Sequence, residues 1–236
     1  MHKSNELHQK FIELKNIVVS SNGSVILDIP DARIPADRIS ACIGPNGAGK
    51  TTLLKLLAGL ITPDSGSITY SFTPAKTALV LHHTPMLKAT TRANLSMVKD
   101  SDPNITNEQI DAILEKINLS NFADRPAHKL SAGERQKLCL GRAVLLEPNL
   151  MLLDEPTANL DPNTTEQVEE MIRQFFNQGI EVIFSSHQLA QVKRIAEHII
   201  FIDHGQIKEM GPVDPFFLNP QTSAAKRYLH QELLTD

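Results

Sequence analysis

The residues Gly44-Pro45-Asn46-Gly47-Ala48-Gly49-Lys50-Thr51 combine flexible backbone, one cation and one hydroxyl in eight positions. This spacing, G-x-x-x-x-G-K-[ST], suits a loop whose backbone N–H groups gather around phosphate oxygens. Lys50 is placed to reach the β and γ phosphates of a nucleotide, and the Thr51 hydroxyl to ligate Mg²⁺. Thr52 follows at a helix start, whose partial positive charge adds to the cradle. A second group is Asp154-Glu155, two carboxylates directly after the apolar run Leu150 to Leu153. Asp154 can hold Mg²⁺ or its water shell, and Glu155 can orient or deprotonate an attacking water. Taken alone, such a pair is as well explained as a solvated strand end. Downstream of a phosphate loop it completes the metal and base that phosphoryl transfer requires.

The elements that must position these groups can be read from the pattern. Arg38 to Ile43 is an apolar run of strand length. Thr52 to Ala58 has helical spacing, and Gly59 sits where a left-handed cap ends a helix. Strand, glycine loop and helix are the context the motif needs. Phe11 to Ser20 and Ser24 to Ile29 are rich in β-branched residues around Ser21-Asn22-Gly23 and predict a hairpin. From about His82 the character becomes helical, with Thr106 and Gln109 forming a capping box. Ser131 and Glu134 form a second box, opening a helix that runs to about Leu146. Thr164 with Gln167 predicts a third, followed by the stripe Val168, Met171, Ile172, Phe175 and Phe176. Glu181 to Phe184 is another buried strand, ending in Ser185-Ser186-His187, and the segment from about Thr222 to Leu234 predicts a last helix. Strands alternating with helices predict an α/β fold with a mostly parallel central sheet and its ligand site at the strand carboxyl ends.

Composition narrows the class. At 236 residues the chain can bury a large core. A net charge of −4 with interspersed signs offers no basic surface suited to nucleic acid. No apolar run approaches the ~20 residues of a membrane span, and no secretory apolar segment follows Met1. Cys42 and Cys139 lie far apart in apolar segments and read as core filler in a reducing compartment.

Five motifs in fixed order resemble those of an ATP-binding cassette ATPase: the loop with Lys50 and Thr51, Leu130-Ser131-Ala132-Gly133-Glu134, Leu150 to Glu155, Ala158-Asn159-Leu160-Asp161, and Ser186-His187. The resemblance covers about residues 11–215, with a helical insert at about 82–135 and a C-terminal tail at 216–236. It implies a P-loop NTPase fold with an N-terminal antiparallel β subdomain. It implies ATP and Mg²⁺ as cofactors, and a homodimer in which Ser131 and Gly133 of one subunit face the ATP bound to the other. A capped helix start with a small glycine agrees with an anion site. Ala158 to Asp161 resembles the loop that links the two sites. His187 resembles the switch histidine that senses the γ-phosphate, so Glu155, His187 and Lys50 are the implied catalytic set.

Three positions depart from the family pattern. Ala132 stands where glycine is usual. The aromatic that stacks on adenine aligns with Ser21, and no Phe, Tyr or Trp occurs between Phe11 and Tyr70. The metal-contacting, membrane-facing glutamine aligns with His82, whose imidazole can ligate but is shorter and titrates near neutrality. Leu79 to Leu95 and Ser24 to Pro30 most resemble tungstate-type oxyanion importers. The implied assembly is a peripheral subunit on the cytoplasmic side of the membrane, bound to a separate integral-membrane permease and through it to a substrate-binding protein. Met86, Leu87 and Leu95 would fill the permease contact, with Lys88 and Arg92 at its rim. A soluble cassette ATPase of a cytosolic assembly system and a separate-chain exporter share this layout.

Overall fold

The computed structural model describes residues 10–73 and 76–235, with the side chains of 10–73 and 76–232. The chain forms two compact units, Met1–Thr73 with Leu189–Asp236, and Pro74–Gln188. The first unit opens with strands β1 (Phe11–Ser21), β2 (Ser24–Pro35) and β3 (Ser40–Ile43), helix α1 (Lys50–Leu57) and strand β4 (Ser65–Tyr70). The second holds β5 (Thr77–Val80), α2 (Thr91–Ser96), α3 (Asn107–Lys116), α4 (Ala132–Leu145), β6 (Leu150–Asp154), α5 (Pro162–Asn177) and β7 (Glu181–Ser185). The chain then returns to the first unit through α6 (Leu189–Ile195), β8 (His198–Asp203), β9 (Gln206–Pro212), α7 (Val213–Leu218) and α8 (Ser223–Thr235).

Within the first unit β2, β1 and β4 form an antiparallel sheet. β3 pairs in parallel with β8, and β8 in turn pairs antiparallel with β9. In the second unit β5, β6 and β7 pair in parallel. Parallel pairings therefore dominate outside the N-terminal sheet, as the α/β reading expects. Every residue of β6 and β7 is buried, and their near-continuous apolar runs suit strands covered on both faces. Between β5 and α4 the regular elements are all helical, α2 and α3 with three short 3-10 turns. Neither cysteine forms a disulfide, and both are buried.

The hairpin is longer than its sequence suggests. Pro30 reads as a strand end, yet β2 continues to Pro35. The pairing passes from Lys15–Asp31 to Ile17–Ile29, which leaves Pro30 opposite Asn16. Asn16 has φ 51°, so the ladder is already irregular where Pro30 cannot donate. The start of α5 also differs. Its N-cap is Asp161, which accepts from the Thr164 N–H at 3.0 Å, so no Thr164–Gln167 box forms. Pro162 at the first helical position explains this, because its fixed φ suits a helix start and its missing N–H costs nothing there. The boxes at Thr106 and Ser131 are both complete.

Candidate functional site

The phosphate loop leaves the carboxyl end of β3 and enters α1. Gly44 has φ 149°, and a Cβ there would lie 1.9 Å from the Ile202 carbonyl oxygen, so β8 leaves room only for glycine. The turn after β8 braces the loop from the same side, the Gly205 N–H donating to the Ala48 carbonyl at 2.9 Å. Inside the loop the Ala48 N–H donates to the Pro45 carbonyl at 3.1 Å. The Lys50 ammonium is buried and donates to the Gly44 carbonyl at 2.7 Å and the Pro45 carbonyl at 3.0 Å. Helix α1 begins at Gly49 without a side-chain cap. The N–H groups of a helix's first turn point out of its start, and here those of Thr51 and Thr52 belong to that turn. An uncapped helix start, a cradle of glycines and a lysine held over it fit a polyphosphate. Gly44, Pro45, Asn46, Gly47, Ala48 and Gly49 thus form one continuous loop in the first unit, and Lys50, Thr51 and Thr52 the first turn of the helix it enters.

In the second unit β6 and β7 end side by side, their last pair being Asp154 and Ser185. Asp154 is buried, and the Ser185 hydroxyl donates to its Oδ1 at 2.6 Å. The Glu155 N–H donates both to the Ser185 hydroxyl at 3.0 Å and to the Ser185 carbonyl at 3.2 Å. Glu155 has φ 52°, a left-handed backbone that costs a side-chain-bearing residue ~1–2 kcal/mol. Its carboxylate meets His187, with Oε2 2.5 Å from Nδ1. The imidazole therefore donates from Nδ1 in a charge-assisted bond. His187 is half exposed while Glu155 is largely enclosed. The structure so brings together three of the expected residues, Asp154, Glu155 and His187. Ser185 joins them, and its hydroxyl is the polar group that ends the otherwise apolar run Val182 to Phe184.

Ser131 caps α4, accepting from the Glu134 N–H at 3.2 Å while its own N–H donates to Glu134 at 2.6 Å. Gly133 has a packing reason within the chain. A Cβ there would lie 2.2 Å from Thr164 Cγ2, at the start of α5. The Thr164 hydroxyl in turn donates to Asp161 at 2.6 Å. The starts of α4 and α5 are thereby locked together, which the spacing of the motifs does not reveal.

His82 packs against His83 with ring centroids 4.1 Å apart. Both line a cavity of about 380 Å³ with Met86, Arg135, Gln136 and Cys139. The loop before α2 is pinned by Asn94, which is fully buried and bonds Leu87 N–H at 2.9 Å, Leu87 O at 3.3 Å and Thr90 O at 3.0 Å. Leu87 and Lys88 are exposed, but Leu95 is fully buried and belongs to the core, so it is removed from the expected partner contact. Arg92 is ion-paired with Asp111. Among the described residues no group of three or more His, Cys, Asp or Glu could by itself hold a metal. Mg²⁺ seldom needs one, being held by one or two protein groups with substrate phosphates and water.

A phosphate loop at the end of a parallel strand, with two carboxylates ending another, defines a P-loop ATPase. A family model described as ABC transporter matches residues 27–158, and the chain belongs to that family as an ATP-binding ATPase. The tungstate uptake system ATP-binding protein of Peptoclostridium acidaminophilum is 30% identical, over 87% of this chain and 99% of its own length. A lantibiotic transport ATP-binding protein of Streptococcus pyogenes is 32% identical over 83% and 88% of the two chains. A phosphate import ATP-binding protein of Natronomonas pharaonis is 29% identical over 90% and 84%. Among solved structures, an ATP-binding cassette of an ABC transporter superimposes with a TM-score of 0.81, at 21% identity, over 95% of this chain and 98% of that one.

Proposed function

We propose that this chain is the ATP-hydrolysing subunit of a transporter, coupling ATP binding and hydrolysis to solute import through a separate membrane permease. Tungstate or a related oxyanion is the cargo this reading favours. The tungstate uptake relative supports it, aligned over nearly its whole length, as does the likeness of Leu79 to Leu95 to such importers. The ATPase occupies about residues 11–215, and 216–236 form its tail. It works at the cytoplasmic face of the membrane as a homodimer and binds no nucleic acid. Among the described residues no helix is long and apolar enough to cross a membrane.

In this mechanism the N–H groups from Gly47 to Thr52 hold the β-phosphate, and Lys50 spans the β and γ phosphates. Thr51 and Asp154 would each offer an oxygen to Mg²⁺, and His82 an imidazole nitrogen. When bound, Mg²⁺ neutralises charge on the triphosphate. Glu155 takes the proton of the attacking water, and its carboxylate is aimed by His187. Ser131 and Gly133 of the second subunit close the site from across the dimer.

The observation that carries the hydrolytic role is the 2.5 Å contact between Glu155 and His187 beside the buried Asp154. Glu155→Gln should keep ATP binding and lose roughly 10²–10⁴-fold in turnover, the usual weight of a general base. Hydrolysis near the parent rate in that variant means the base is elsewhere. The lantibiotic transport relative favours a second reading, an exporter ATPase with the same chemistry.

A further inference from the structure

Ser185 has no part in the motifs that mark this family of sites, yet the structure puts its hydroxyl between the two residues on which hydrolysis depends. It is completely buried. Burying a hydroxyl is unfavourable unless it finds partners, and a serine at a strand end usually finds them in its own turn. The neighbouring Ser186 does so, accepting from the Gln188 N–H at 3.0 Å. Ser185 instead reaches across to the adjacent strand. Its hydroxyl proton goes to Asp154 Oδ1 at 2.6 Å, and its oxygen receives the Glu155 N–H at 3.0 Å.

The register explains why this position can do both. β6 and β7 run in parallel from Leu150–Glu181 to Asp154–Ser185, so the serine stands beside the aspartate as the last pair. A slip of one residue toward Phe184 would leave the carboxylate beside a ring with no donor. The bond to Asp154 is short and charge-assisted, which fixes the rotation of the carboxylate about its own axis. The bond from Glu155 secures a residue whose backbone is left-handed at φ 52°. One hydroxyl therefore sets the direction of one carboxylate and the turn that presents the next.

We propose that Ser185 is a positioning residue: its hydroxyl orients Asp154 toward a divalent cation and holds the turn that aims Glu155 at water. Ser185 touches neither nucleotide nor metal in this role. The inference rests on the ATPase reading, with Asp154 as a cation-holding group. Groups that orient a metal ligand typically change metal affinity by roughly 10–100-fold when removed.

The test compares Ser185→Thr with Ser185→Val, two side chains of similar shape that differ in the hydroxyl. ATP affinity is measured by calorimetric titration with Mg²⁺ and with chelator, and Mg²⁺ is titrated against turnover. The threonine variant is expected to keep the parent's response to Mg²⁺. The valine variant is expected to need roughly 10–100-fold more Mg²⁺ for half-maximal turnover, while its ATP affinity in chelator matches the parent's. Equal Mg²⁺ responses of the two variants would overturn the role. So would a valine variant that loses chelator and Mg²⁺ binding alike, since that marks general damage to the fold. If valine cannot be accommodated, Ser185→Cys, with its weaker donor, is read by the same criterion. A parent whose nucleotide binding ignores Mg²⁺ would overturn the placement of the cation at Asp154, and Ser185 with it. A parent that depends on Mg²⁺, with valine equal to threonine, removes Ser185 alone.

Discussion

Ser21 ends β1 and pairs with Ser24 across the hairpin turn. Where the family's aromatic stacks on adenine, this chain offers a small hydroxyl and, one residue beyond Ser24, an exposed Val25. Phe11 cannot replace the missing ring. It stands at the opposite end of β1, ten residues or about 33 Å along the strand, and the Arg33 guanidinium covers its face at 3.6 Å. On this reading the base should be held by aliphatic contacts, with most affinity from the triphosphate, the metal and the loop. Two outcomes are expected. ATP and GTP should bind with little discrimination, and Ser21→Tyr should tighten ATP about tenfold, since a stacked aromatic contributes ~1–3 kcal/mol. Nucleotide titration of parent and variant checks both; strong ATP preference in the parent with no gain in the variant would mean another group already meets the adenine. At this scale the phosphate loop and the pair Asp154-Glu155 were legible because their chemistry is contiguous in sequence. Ser185 was not. A serine after Phe184 gains its meaning from the strand it lies beside, and no local spacing encodes that register.

Elements repeat the lesson with a different cause. Capping boxes at Thr106 and Ser131 were legible because each is closed within four residues, whereas the expected Thr164 box gave way to Asp161 once Pro162 fixed the helix start. Gly133 reads as small in the sequence, but its packing against Thr164 depends on how two helices meet. The start of β8 shows what an element end can impose on one side chain. His198 pairs with Ser40 on one side and Pro212 on the other, and its Nδ1 is buried with no hydrogen-bond partner among the described residues. Burial, with the Arg38 charge next, pulls the imidazole down to about 4; Asp37 opposes this. Lys10 and Arg33 line a cavity together with Asp37, Arg38 and His198. The native state therefore keeps this ring neutral where the unfolded chain protonates it, at about 6.5. Stability from His198 is present above pH ~6.5 and is lost as pH falls toward 4. His198→Gln should flatten that slope. From pH 7.5 to 4.5 the urea midpoint of the parent should fall further than that of the variant, and parallel pH profiles would contradict it.

For the molecule as a whole the open matter is what it drives, and that depends on a surface more than on the nucleotide site. The chain carries net charge −4, and among its described residues no helix is long and apolar enough to cross a membrane; in the proposed transporter, coupling would run through contact with a separate permease. Within the second unit that reading directs the contact to the loop beside the cavity of about 380 Å³ lined by His82 and His83. Met86 lines it, and the exposed Leu87 and Lys88 follow in the chain, so an apolar side chain and a charge would stand next to one another in the contact, as interfaces prefer. Asn94 holds this loop by three hydrogen bonds, so the contact is presented in one shape and little ordering entropy opposes docking. A thiol placed there can be addressed selectively. Cys42 and Cys139 are both buried, and burial pushes the Cys139 thiol above its ordinary pKa, which leaves it poorly reactive. Met86→Cys, carrying a short bifunctional linker in membranes from cells that express the chain, should join a multi-span integral protein identified by mass spectrometry. Leu60→Cys, exposed on the first unit, serves as the control and should not. Capture of soluble proteins alone at Met86 would move the assignment to a cytosolic assembly system, because the same ATPase chemistry would then be harnessed to a partner that never enters the membrane.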